Sequence, residues 1–458
     1  MSFAITNPAT ETTITQFESD TPETIASKFE RAKRAQPLWA ARPLKERLEI
    51  LRKFRNLVEQ RSPEWAKTTT QEVGKPIRQS HNELKGLLVR LDFFLQETEK
   101  AIQTEVVYKN TEEKLEERIA HEPLGVIANI SAWNYPYFVG SNVFVPALAA
   151  GNAVLYKPSE FASLTGQALV AALHEAGVPE DVMIPIYGEG VVGSELLKKP
   201  VQGVFFTGSY ATGVKIAQQV APKLVRLQLE LGGKDPVYVA GDVDVAAAAE
   251  AISDGAFYNN GQSCCAVERI YVHESIYTQF VEEFVKNVKG FVLGDPMDEK
   301  TYLGPLTRKP QLEVLAHQVA DAVAKGAKVL CGGRRVADRK GYYFEPTVLV
   351  NVTHEMEVMR EESFGPIIGI QAVKSDEEAL RLMNDTQYGL TAGVYTKDRA
   401  RAERLLAGVH SGSAYWNCCD RVSPRLPWSG RGHSGVGLTL SHHGIRAFTQ
   451  TKGWHFRG

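Results

Sequence analysis

The chain has 458 residues, of which 43% are hydrophobic and 23% charged, with a formal net charge of −2. That length gives a soft expectation of about three domains, and the composition is that of a globular protein with a substantial core. The near-neutral charge excludes a large basic field for nucleic acid or an anionic membrane.

In chain order, the N-terminus "MSFAITNPATETTITQ" lacks a basic segment followed by an apolar one, so it does not read as a secretory signal. No run of roughly 18 apolar residues suggests a membrane span. Residues 22–62 and 76–103 read as amphipathic helices, with charge interleaved between apolar positions. Residues 114–122, "KLEERIAHE", alternate like a strand. Short apolar runs follow at 125–130, 152–158, 182–188, 203–209 and 224–233, with helical segments between most of them. Strands alternating with helices predict βαβ units and a parallel sheet. The alternation resumes with "PVYVA" at 236–240, a helix over about 243–258 and "RIYVHES" at 269–275, and runs on through "SGSAYWN". This is a second α/β unit, with the seam near Gly232-Gly233. The tail "HHGIRAFTQTKGWHF" has strand-like composition. A ligand is expected where the two units meet.

Five stretches carry candidate chemistry. In "FFTGSYATG" a strand ends at Thr207-Gly208-Ser209 and a helix opens around Gly213. Free N–H groups there suit a phosphate, although a plain strand-to-helix turn explains the stretch equally well, and the G-x-G-x-x-G spacing is absent. In "YKPSE", Lys157 and Glu160 end a strand, where both can reach ribose hydroxyls; a surface ion pair is the other reading. In "SAWNYPYF", Asn134 can donate to an oxyanion or cap the next helix. In "LELGGKDP", Glu230 sits within an apolar strand, and burial would raise its pKa into the range of a general base. Finally, "GQSCCAVER" places Cys264 and Cys265, two of only five cysteines, side by side after a turn signal. A thiolate nucleophile needs access and a favourable field, whereas a buried cysteine is usually a small packing group. An odd cysteine count without framework spacing fits a reducing compartment, and the cytoplasm is expected.

These stretches, with "EESFGPIIGI", "NDTQYGLTAGVY" and "LPWSGRGHSG", resemble the aldehyde dehydrogenase superfamily in order and spacing from about residue 7 to residue 452. The resemblance implies an α/β fold of two doubly wound domains with a small strand arm for oligomerisation. It implies a cofactor domain over 1–103 and 123–232, a catalytic domain over 233–425, and an arm from 104–122 and 444–458. By the same resemblance Cys264 is the nucleophile, with Cys265 packing behind its loop. Asn134 is the oxyanion donor and Glu230 the general base. Lys157 and Glu160 hold the adenosine ribose, Thr207, Gly208 and Ser209 face phosphate, and Glu362 and Phe364 position the nicotinamide riboside. The cofactor is NAD, with NADP admissible, no metal is called for, and a homodimer or a dimer of dimers is expected. The implied reaction oxidises an aldehyde to a carboxylic acid through a thiohemiacetal and a thioester. Glu230 disfavours the branch that passes the acyl group to coenzyme A. The cofactor residues disfavour a plain thiol esterase, and the intact Cys264, Glu230 and Asn134 disfavour a non-enzymatic binding protein. Tyr135, Arg421, Arg425 and Trp428 are expected to line the substrate pocket. An arginine fork from Arg421 and Arg425 suits a carboxylate-bearing aldehyde such as succinic semialdehyde, while the aromatic residues suit a neutral one. The chain departs from the family in "SGVGLTL", where Arg-Glu commonly follows S-G-x-G. That departure is expected to alter local contacts and none of the roles above.

Overall fold

The computed structural model describes residues 2–458. Its helices and strands form two parallel α/β sheets joined at a seam, with two smaller antiparallel sheets. The amphipathic N-terminal stretch forms two helices rather than one, Pro22–Ala40 and Leu44–Val73. The break falls at Pro43, which is extended (ψ 140°) and disfavours helix for the residue before it. The next helix, Ile77–Ile102, packs against Leu44–Val73 and against Pro136–Ala150.

Strands Arg226–Glu230, Gly203–Thr207, Val126–Ile130, Ala153–Lys157 and Met183–Pro185 lie side by side and parallel in that order. The chain leaves the central strand Val126–Ile130 in one direction and later returns on its other side. The carboxyl ends of the strands therefore open a crevice at this switch point, where ligands bind in sheets of this kind. Ile130, Lys157, Thr207 and Glu230 all end strands there.

The second sheet runs Lys328–Cys331, Thr347–Val350, Ile367–Val373, Val267–His273, Asp235–Val239, Thr391–Tyr395 and Ser413–Trp416. Only its first pair is antiparallel. The seam lies between Glu230 and Asp235, where four residues separate the last parallel strand of one sheet from a central strand of the other. Near the C-terminus the chain returns to the first sheet: Gly435–Val436 pairs antiparallel with Arg226–Glu230, and Trp428, Leu440, Ile445 and Phe448 join that domain's core.

Two further regions go beyond or depart from the sequence reading. Ser2–Asn7 and Thr12–Glu18 form a hairpin that joins the second unit through Pro8 and Glu11 and the first through Phe17 against Tyr187. The tail is not strand throughout. Ser441–Arg446 is helical and packs on Ile77–Ile102, and the strand begins only at Thr449. Thr449–Arg457, Leu115–Pro123 and Glu105–Asn110 then build the three-stranded arm. No helix among the described residues is long and apolar enough to cross a membrane.

Candidate active site

The cysteine loop is built by asparagines. Asn259 and Asn260 both adopt left-handed backbone (φ 53° and 58°), which Asn tolerates better than most residues. The Asn260 amide donates to the carbonyls of Gly304 and Pro305, and the Asn259 amide donates to those of Asn134 and Gln262. Gln262 accepts from Thr307 N–H at 3.0 Å. Gly261 is required here: its φ is 69°, and a Cβ would lie 2.4 Å from the Gly365 carbonyl oxygen. Gly233, from the seam, lets the loop close, because a Cβ there would meet the Cys264 carbonyl at 2.8 Å. The loop is thus fixed on both sides before its thiols are considered.

The two thiols lie in different settings. Cys264 is half-buried and faces a cavity of about 610 Å³. Cys265 is buried and donates to Asp420 Oδ1 at 3.1 Å. A hydrogen bond with the Cys264 thiol, together with burial, pushes the Cys265 thiol well above its ordinary range. Cys265 therefore stays a protonated donor, whereas Cys264 is open to a ligand.

Glu230 also lines the cavity. It is 6% exposed, and burial pushes its pKa up to about 7. Gln228 donates to Oε1 at 2.9 Å, Thr207 donates to Oε2 at 3.4 Å, and the Thr439 hydroxyl donates to Oε1. Thr439 lies in the segment that lacks the family's Arg-Glu. The segment "SGVGLTL" therefore contacts the Glu230 carboxylate itself, and the local contacts expected to change there include one to the proposed base. Asn134 is buried, and its carbonyl accepts from Asn259. It caps nothing: the helix Pro136–Ala150 has no side-chain cap, and the Asn134 amide has no hydrogen-bond partner among the described residues.

At the crevice, Lys157 is 3% exposed and lies 3.8 Å from the Glu160 carboxylate. Burial holds its ammonium below the ordinary lysine range. Ser209 caps the helix Tyr210–Val220, and Gly208 N–H donates to the Glu230 carbonyl. Glu362 turns its carboxylate against Gly232, where a Cβ would lie 2.1 Å from Oε1, and accepts from Gly233 N–H at 3.1 Å. Burial pushes its pKa up to about 8. Phe364, with φ 46°, sets its ring edge-on to Trp133 at 5.5 Å. A donor–acceptor set at the strand ends, a helix N-terminus and a carboxylate beside glycine backbone together fit a dinucleotide.

Sequence reasoning missed the buried pair behind this loop. Lys234 and Glu268 pair at 2.5 Å. Glu268 accepts from Ser363 and Phe364 N–H, and Lys234 donates to Ser363 Oγ. Both residues stood inside quoted motifs, and a lysine one residue past Gly-Gly was the available signal. Of the expected substrate residues, Tyr135, Arg421 and Trp428 line the cavity. Arg425 does not: it is exposed and outside the lining, so no fork forms with Arg421. The bend after Ser423 turns it to solvent.

A dinucleotide crevice beside an accessible thiol defines an α/β oxidoreductase. The aldehyde dehydrogenase family model matches residues 1–453. Aminoaldehyde dehydrogenase 1, peroxisomal, of Malus domestica is 35% identical, over 98% of this chain and 91% of that protein. The chloroplastic betaine aldehyde dehydrogenase of Amaranthus hypochondriacus is also 35% identical, with the same shares covered. Lactaldehyde dehydrogenase from Escherichia coli superposes with a TM-score of 0.96 at 33% identity, over 100% of this chain and 96% of that one. PnpE, solved with nicotinamide adenine dinucleotide, superposes with a TM-score of 0.96 at 34% identity, over 100% and 94%. The chain belongs to the aldehyde dehydrogenase family. It is an NAD(P)-dependent oxidoreductase that oxidises an aldehyde to a carboxylic acid.

Proposed function

We propose that Cys264 is the nucleophile of this reaction, with Asn134 the oxyanion donor and Glu230 the general base. The observation that carries the Cys264–Glu230 pair is the shared cavity, which joins the half-buried Cys264 thiol to a buried carboxylate with a pKa of about 7; Asn134 is tied to the cysteine loop through Asn259. Cys264 attacks the carbonyl carbon as thiolate, and the Asn134 amide stabilises the oxyanion. A donor of this kind is worth about 3–4 kcal/mol at the transition state. A bound cofactor supplies the hydride acceptor, and the thiohemiacetal becomes a thioester on Cys264. Glu230 then takes a proton from the water that hydrolyses the thioester. A base poised near neutral pH suits that step. Dividing the reaction at a covalent intermediate replaces one hard step with two easier ones.

Lys157 and Glu160 hold the ribose, with Thr207, Gly208 and Ser209 at the phosphates and Glu362 and Phe364 at the nicotinamide riboside. A 2′-phosphate would meet the Glu160 carboxylate, so NAD is the preferred cofactor. Domain roles follow the sheets: the first binds cofactor and the second carries the cysteine. The arm exposes Val106, Val107, Tyr108, Trp454 and Phe456, an apolar set that fits pairing with a second copy. The enzyme acts on a small molecule in the cytoplasm as a homodimer or a dimer of dimers.

The test is Glu230→Gln with NAD and an aldehyde, followed at the reduced-cofactor absorbance. One equivalent should form rapidly and turnover should then stall, roughly 10²–10⁴-fold below wild type. Steady turnover at the wild-type rate would remove Glu230 from the mechanism.

A further inference from the structure

The cavity contains a cation with unspent donors. Arg90, on the helix Ile77–Ile102, lines it and is 6% exposed. Its Nε is buried without a partner, and Nη1 reaches only the Gly86 carbonyl, at 3.4 Å. It forms no ion pair among the described residues. Phe138 holds it in place: the guanidinium carbon lies 3.7 Å from that ring's centroid. Phe138 stacks on Tyr135 at 5.6 Å, and Lys75 lies 3.9 Å over the Tyr135 ring. Gly86 makes room for this arrangement, because a Cβ there would lie 2.6 Å from Phe138. Stacking fixes the plane of a guanidinium and leaves the N–H groups on its edge free.

The two ends of the stack differ. Lys75 is neutralised by Glu83, which also accepts from Tyr137 N–H. Arg90 has no such partner. The cavity's other carboxylates already have donors. Asp254 accepts from Tyr302 OH at 2.6 Å, and Asp420 accepts from Cys265 and Ser263. An ammonium-bearing substrate would have to compete with those donors and would face Arg90. An anionic one would find an unused planar fork. Arg78 and Arg421 at the mouth add field of the same sign.

We propose that Arg90 is the anchor for a carboxylate at the far end of the substrate, so that the enzyme's aldehyde also carries a carboxylate. The proposal rests on Cys264 being the attacking group, since it places the carbonyl at one end of the cavity and the carboxylate at the other. It replaces the fork of Arg421 and Arg425, which the fold does not form.

The test compares kcat/KM, with NAD, for succinic and glutaric semialdehydes against butanal, pentanal and 4-aminobutanal. The carboxylated aldehydes should exceed their neutral counterparts by about 100-fold, since a site built around a charge-assisted hydrogen bond rejects analogues that lack it. In Arg90→Met that ratio should fall to about 1, and in Arg90→Lys it should lie between. Cofactor binding, read by fluorescence, reports whether each variant is folded. Independently, glutarate should bind the Cys264→Ala protein and protect it thermally, and this should be lost when Arg90→Met is added. The proposal is overturned if neutral or amino aldehydes win in the wild type, if Arg90→Met lowers all aldehydes equally, or if glutarate does not bind. Should no aldehyde be oxidised at all, the catalytic reading fails, and glutarate binding still decides Arg90.

Discussion

Charge is treated differently on the two sides of the cysteine loop. Behind it, the charges of Lys234, Glu268 and Arg269 are all engaged. Lys234 pairs with Glu268, Glu268 takes three backbone contacts, and the fully buried Arg269 donates to the carbonyls of Lys234, Leu382 and Met383 at 2.8–3.0 Å. In front of it, Glu230 is held by neutral donors and Arg90 has an unpaired Nε. Both sides are buried, so burial alone does not mark function. Hydrogen-bonding capacity left unspent at a cavity wall does, because a buried polar group without a partner costs stability that structure alone does not repay.

The largest test of this contrast separates the adjacent thiols. Cys264→Ala should lower kcat at least about 10⁴-fold with cofactor binding retained, while Cys265→Ala should lose less than about tenfold. Reversed behaviour in steady-state assays would mean that the saturated thiol, not the open one, is the nucleophile. Next comes the saturated side itself. Lys234→Met leaves Glu268 buried and unpaired and should cost about 3–5 kcal/mol of stability, visible as a lowered denaturant midpoint. A midpoint like that of wild type would make the pair incidental. At the crevice, kcat/KM with NAD should exceed that with NADP by roughly 10–100-fold, a size set by charge-assisted hydrogen bonds at the ribose. Glu160→Gln should narrow the gap, and a wild-type preference for NADP would remove Glu160 from the ribose. The smallest effect concerns Thr439. A general base at Glu230, as proposed, works only when ionised, so kcat should rise with pH through about 7, the value to which burial raises it. Thr439→Val removes a donor that favours the ionised form. The rising limb should then move to higher pH, with kcat at pH 7 falling roughly threefold to tenfold. An unshifted limb would mean that Thr439 does not tune the base.

Much of this arrangement was legible in the sequence because it is written locally. The strand ends carrying Lys157, Thr207 and Glu230 follow from apolar runs closed by polar residues, and Gly232-Gly233 announced the seam. The break at Pro43 was missed, although proline constrains its own φ and the residue before it. Arg90 was not legible. Within "LLVRLDFF" it reads as one more charge on an amphipathic helix, and the cover it receives from Phe138, on another helix, is not visible there. Thr439 was hidden for the same reason: its meaning lies in a contact across 209 residues. The helix Ser441–Arg446 escaped notice because six residues are too few for periodicity to show.

That long-range contact bears on how the protein is made. Glu230 and its parallel strand leave the ribosome well before the strand's outer neighbour, Gly435–Val436, and 209 residues ahead of Thr439, whose hydroxyl donates to the glutamate. A nascent or truncated chain would hold the glutamate at an open sheet edge, without the donor that favours its ionised form. The first sheet therefore cannot be excised with all its neighbours from the continuous span that precedes the seam, because a chain interrupted anywhere before Gly435 would lack both the pairing strand and the Thr439 hydroxyl at Glu230.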